Sequence, residues 1–154
     1  MFDVKEAYQK QDWNKVIQEG KKLVEHGERT EYVIKETYLM VGSALKKSDQ
    51  LDEAIAWYKK GLQQFPDLAG LHHNLGNCHR AKGDDRSRWT AIEHYLNAQN
   101  LGLNSGSLIL SLSRTYQDLS FSALAYDTLK TWMTRKTINE IPGPEHLVNL
   151  LDLS

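Results

Sequence analysis

Apolar positions along this chain recur at two spacings. Within short windows they fall three and four apart, as on a helix face. Trp13, Val16, Ile17, Gly20, Leu23 and Val24 form one such stripe, with Asp12 placed to cap the helix that carries it. Over longer distances the same anchors return in order. Tyr38, Val41, Gly42, Leu45, Ala54, Tyr58, Gly61 and Pro66 come back as His72, Leu75, Gly76, His79, Ala91, Tyr95 and Ala98. They return again as Ile109, Leu112, Ser113, Tyr116, Ala125, Leu129 and Trp132. Self-similarity at a fixed period signals stacked units, each unable to bury its own apolar face alone. No window predicts a strand, so the fold class read from the pattern is all-α.

The period is kept except at one place. Gly42 to Gly76 spans 34 residues and Gly76 to Ser113 spans 37, whereas Ala54 to Ala91 spans 37 and Ala91 to Ala125 spans 34. Both sets agree only if three residues are inserted between Gly76 and Ala91. The charged, glycine-led run Gly83–Arg88 is the natural place, and it reads as a loop. Glycine in a helix interior costs about 1 kcal/mol relative to alanine. Its return at Gly42 and Gly76 therefore predicts a close helix contact there, with Tyr58, Tyr95 and Trp132 filling the space between.

These anchors resemble the tetratricopeptide repeat, a helix–turn–helix unit of 34 residues. The resemblance implies a right-handed superhelical solenoid of antiparallel helix pairs with a C-terminal capping helix. It divides the one domain into a degenerate repeat at 1–34, repeats at 35–68, 69–105 (with the three-residue insertion as a loop) and 106–139, and a cap at 140–154. Pro144 suits the first turn of that last helix, and Leu147, Leu150 and Leu151 would line its apolar side.

Composition narrows the function. The 154 residues carry 25% charged side chains and a net charge of −1, which lacks the basic balance of a protein that neutralises a nucleic-acid backbone. No stretch is long and apolar enough to span a bilayer, and Met1–Glu6 has no basic segment followed by an apolar core, so neither a membrane nor a secretory route is expected. The single Cys78 cannot form an internal disulfide and fits a reducing, cytoplasmic compartment.

Chemistry finds little support. There is no phosphate-binding glycine loop, no Gly-x-Ser-x-Gly elbow and no His-Glu-x-x-His, so no catalytic residue and no cofactor are expected, and the chain reads as non-enzymatic. His72 and His79 lie seven apart on one helix, but they occupy anchor positions. A structural zinc usually takes four ligands at recognisable spacing, so they read as packing residues and no metal is expected. Cys78 and the adjacent His79 point about 100° apart on a helix and do not make a nucleophile pair.

In the family this chain resembles, the first helix of each pair lines a concave groove through its fifth, ninth, twelfth and thirteenth positions. Here these are Leu39, Ser43, Lys46 and Lys47, then His73, Asn77, Arg80 and Ala81, then Leu110, Arg114, Gln117 and Asp118. The resemblance thus implies a protein or peptide ligand, and the four basic residues give the groove a positive lean toward acidic groups. A subclass that clamps a peptide carboxylate is matched at Asn77 and Arg114 and departs at Leu39, Ser43 and Leu110. A structural, self-assembling role is the alternative. It would use Trp89, which reads either as a packing substitute or as an exposed contact, or the Leu147–Leu151 segment, docked on a neighbouring copy in a homo-oligomer.

Overall fold

The computed structural model describes residues 3–27 and 29–135; the Leu147–Leu151 segment and the expected cap lie outside them. Eight helices run through the described residues: α1 (Val4–Gln9), α2 (Trp13–Glu25), α3 (Glu31–Lys47), α4 (Leu51–Gln64), α5 (Ala69–Lys82), α6 (Asp85–Asn100), α7 (Gly106–Asp118) and α8 (Ser122–Arg135). No strand occurs among these residues. Each helix packs on the next, and α1, α3, α5 and α7 also touch one another in succession. The chain is an all-α, tetratricopeptide-like solenoid, with its odd-numbered helices drawn together along one side.

Local sequence explains where the helices start and stop. Asp3, Asp12, Thr30, Asp84 and Ser105 each accept a backbone N–H from the first turn that follows, satisfying a donor that has no partner inside the helix. The turn inside each pair holds one residue in the left-handed region: Gln11, Asp49, Gly83 and Ser120. At Gly83, φ is 82°, a conformation that glycine adopts without steric cost.

The insertion does not form a loop. Asp85–Arg88 are helical and constitute the first turn of α6. The Asp84 side chain caps that turn, accepting from the Ser87 amide at 2.8 Å and from its hydroxyl at 2.7 Å. Three residues are close to one helical turn, so a helix can absorb them without changing which face meets α5. Asp84, Asp85 and Arg86 face solvent, which suits their charge, whereas Arg88 is half-buried and pairs with Asp85.

Among the described residues, three apolar clusters make up the core: one from α1 to α5, one joining α6 to α7, and one between α7 and α8. The glycine contacts lie where the repeat predicts them. A Cβ on Gly42 would overlap Cε1 and Cζ of Tyr58, and one on Gly76 would stand 2.6 Å from Cε1 of Tyr95. Both tyrosines are buried. In the third pair, glycine and tyrosine are replaced together, by Ser113 and Leu129. Ser113 Oγ donates to the Ala125 carbonyl at 3.0 Å, and Leu129 is buried. Trp132 fills a different gap, against Gly106.

Candidate functional site

Each groove position lies on an odd-numbered helix, and cross-helix contacts tie these positions together. On α1, the Tyr8 hydroxyl meets Ser43 Oγ of α3 at 3.0 Å. Between α3 and α5, the positive charge of Lys46 bears on both His73 and Cys78. From α5 to α7, Arg80 donates to Asp118 Oδ2 at 3.2 and 3.3 Å.

The floor of this face is built from tyrosines that rise between the helices from the opposite layer. Tyr58 donates its hydroxyl to the Leu39 carbonyl at 3.4 Å, and Tyr95 donates to Asn77 Oδ1 at 2.8 Å. Burial raises the pKa of both phenols, that of Tyr95 to about 12, so each stays a neutral donor. Since the Asn77 oxygen accepts from Tyr95, its amide NH2 is the part left to donate to a ligand. Leu39 and Leu110 are half-buried, as are Asn77 and Gln117.

His73 is half-buried, its ring set edge-on to Tyr95 with centroids 5.9 Å apart. Its Nε2 is buried without a hydrogen-bond partner. Burial first, and then Lys46, lower its pKa, which favours the neutral ring. Cys78 is fully buried beneath the same face, and burial lifts its thiol to about 11. It is therefore a packing thiol at neutral pH rather than a thiolate nucleophile.

The positive lean of the groove is narrower than four basic residues suggest. Arg80 is neutralised by Asp118, a residue of the same face. Lys47 extends over the Trp13 ring, 5.4 Å from its centroid. Lys46 and Arg114 are exposed, and neither has an ion-pair partner among the described residues. Sequence spacing placed Arg80 and Asp118 at groove positions, but their sequence separation hides the pairing, which requires α5 and α7 to lie side by side.

The histidines differ from the expected packing. His72 and His79 are half-buried, while Leu71, Leu75 and Cys78 supply the buried face of α5. Both rings instead meet His94 of α6, which sequence reasoning had left aside. His72 Nδ1 lies 3.3 Å from His94 Nδ1, and the His79 and His94 rings stack with centroids 5.6 Å apart. Among the described residues, no group of three or more His, Cys, Asp or Glu side chains is arranged to hold a metal ion. Trp89 is 48% exposed and meets Phe121 edge-on, centroids 5.5 Å apart, so it is not a buried substitute for an apolar anchor.

Paired antiparallel helices stacked with one layer drawn together define this as an α-solenoid built from helical hairpins. Residues 42–83 match the family model described as TPR repeat. Over that segment the chain is similar to tetratricopeptide-repeat proteins, in keeping with its all-α, repeat-like fold. No curated protein matches the chain. Repeats of this family mediate protein–protein interaction. Among the described residues, no helix is long and apolar enough to cross a membrane.

Proposed function

We propose that this chain is a non-enzymatic recognition module that binds an acidic or carboxylate-bearing peptide segment along the face of α3, α5 and α7. The observation that supports this reading is the charge of Lys46 bearing from α3 on His73 of α5, one helical turn from Asn77, with Arg114 exposed on α7, the next helix of the same layer. Lys46 and Arg114 supply positive charge, Asn77 donates to a carboxylate or backbone oxygen, and Leu39 and Leu110 offer apolar contact. Arg114 can donate two parallel hydrogen bonds to a carboxylate, which adds direction as well as attraction. Ser43, Lys47, Arg80 and Gln117 form the surround, all four already engaged within the protein.

The test is fluorescence anisotropy with acidic peptides and their neutral counterparts, each with a free and an amidated C-terminus. Wild type should prefer the acidic set, and the preference should weaken with added salt because exposed charges are screened. A folded Lys46→Glu/Arg114→Glu variant should lose the preference. Equal affinity for acidic and neutral peptides would refute the reading.

A second reading follows from the exposed Trp89–Phe121 pair, which has Leu124 also exposed nearby on α8. Aromatic side chains of this kind anchor protein interfaces. In this reading, the chain self-associates as a scaffold through Trp89. Light scattering over a concentration series, with Trp89→Ala as comparison, separates it from the first: a stable oligomer lost in the variant favours the scaffold.

A further inference from the structure

We propose that His72, His79 and His94 form a proton-operated latch between α5 and α6, closed when the rings are neutral and released by acidification. The proposal is independent of what the groove binds. It rests on the hydrogen-bond logic of three rings in contact.

His72 Nε2 lies 3.3 Å from the Pro66 carbonyl oxygen, and a carbonyl oxygen can only accept. Nε2 of His72 therefore carries the hydrogen. In the neutral ring Nδ1 is then an acceptor, so the contact to His94 Nδ1 at 3.3 Å requires His94 to donate from Nδ1. One continuous chain results: His94 of α6 donates to His72 of α5, which donates to the turn between α4 and α5. It assigns one tautomer to each ring.

A single extra proton can be shared across the Nδ1–Nδ1 contact, but two leave N–H facing N–H and abolish it. His79, stacked on His94 with 13° between the ring planes, adds a third imidazole whose charge would face that of His94. Other charges bear on the rings as well: Lys59 from α4, Lys82 from α5, and Asp84 at the head of α6. None of the shifts in these rings traces to α7. The two lysines oppose protonation and only Asp84 favours it. Burial first, then His79, His72 and Lys59, bring His94 down to about 4, and burial also lowers His79.

The sign follows by linkage. A histidine with a lowered folded-state pKa gives up stability to the unfolded chain as pH falls from the ordinary value, about 6.5, toward the folded one. The contribution is complete above that ordinary value and is progressively lost on acidification. Release would loosen α6 from α5 at the His72–His94 contact, while the Gly76–Tyr95 contact and the Tyr95–Asn77 hydrogen bond continue to join the two helices.

The experiment follows thermal unfolding of the whole chain between pH 8 and 4.5, comparing wild type with His94→Phe and with His26→Gln, an exposed histidine, as control. The unfolding midpoint of wild type and of the control should fall more steeply on acidification than that of His94→Phe. Parallel profiles for all three would overturn the latch. If His94→Phe does not fold, nitrogen NMR of the wild-type imidazoles decides. The latch requires an Nε2–H tautomer at His72, an Nδ1–H tautomer at His94, and His94 titration well below the ordinary imidazole value of about 6.5. Titration of His94 at the ordinary imidazole value, about 6.5, overturns it.

Discussion

Gly76 of α5 lies against the ring of Tyr95 on α6, so that a Cβ at position 76 would stand 2.6 Å from Cε1, 2.8 Å from Cδ1 and 3.2 Å from the Ala91 carbonyl oxygen. The ring has little room to retreat. It is fully buried, and its hydroxyl is held by Asn77. Gly76 thus sets both the spacing of the helix pair and the height at which a tyrosine hydroxyl reaches the opposite face.

Gly76→Ala should therefore destabilise the protein despite the better helix propensity of alanine. Overpacking of this kind costs about 1–3 kcal/mol. Urea unfolding gives the value. An unchanged midpoint would mean that the ring moves freely, and the close contact would then not explain the glycine.

The same relationship predicts a rescue in the third pair. Leu129→Tyr places a ring against Ser113, where a side chain now stands, and should be destabilising alone. Ser113→Gly loses the hydrogen bond to Ala125 and adds a mid-helix glycine, each costing about 1 kcal/mol. The double variant rebuilds the Gly–Tyr pairing and should be more stable than the sum of the two changes implies, by about 0.5–3 kcal/mol. A double-mutant cycle measures this directly, and strict additivity would count against the equivalence of the three pairs.

Asp118→Asn should release Arg80 into the groove. The ion pair is partly exposed, and such pairs contribute at most about 1 kcal/mol, so stability should change little. Affinity for acidic peptides should rise, because a second guanidinium becomes available beside Arg114. Peptide titration at low and moderate salt reads the gain, and a fall in affinity would assign Asp118 itself a role in binding.

Asp84 offers a test of the extended helix. Hydrogen bonds from the Ser87 hydroxyl and amide hold its carboxyl below the usual carboxylate range. Its folded-state pKa is depressed, so its contribution is present above the ordinary carboxylate value and is lost as pH falls through the folded one. Asp84→Ala should speed amide hydrogen exchange at Ser87 and the rest of the first turn of α6, while Asp84→Ser should preserve protection. Equal exchange in all three proteins would mean that the turn does not depend on its cap.

Much of the fold was legible in the chain because close-packing positions tolerate few residue types. Gly42 and Gly76 had to be small, and Tyr58 and Tyr95 had to fill what they left. The groove was less legible. Spacing placed Lys46, Lys47, Arg80 and Arg114 on one helix face after another, but a charge repeat does not disclose which charges are already paired. Arg80 is taken by Asp118 and Lys47 lies over Trp13, through contacts between helices far apart in sequence. His94 was missed for the same reason: its partners lie on another helix, so no local pattern points to it.

By itself the sequence determined the helical class, the repeat and the register of its small and large anchors, since those depend on periodicity and side-chain volume along one chain. Tertiary structure decided how each residue was finally used. It turned the insertion into a helical turn, neutralised Arg80, raised tyrosine hydroxyls under Leu39 and Asn77, and brought three histidines into contact. These outcomes depend on distances between helices, and such distances are set only when neighbouring pairs stack.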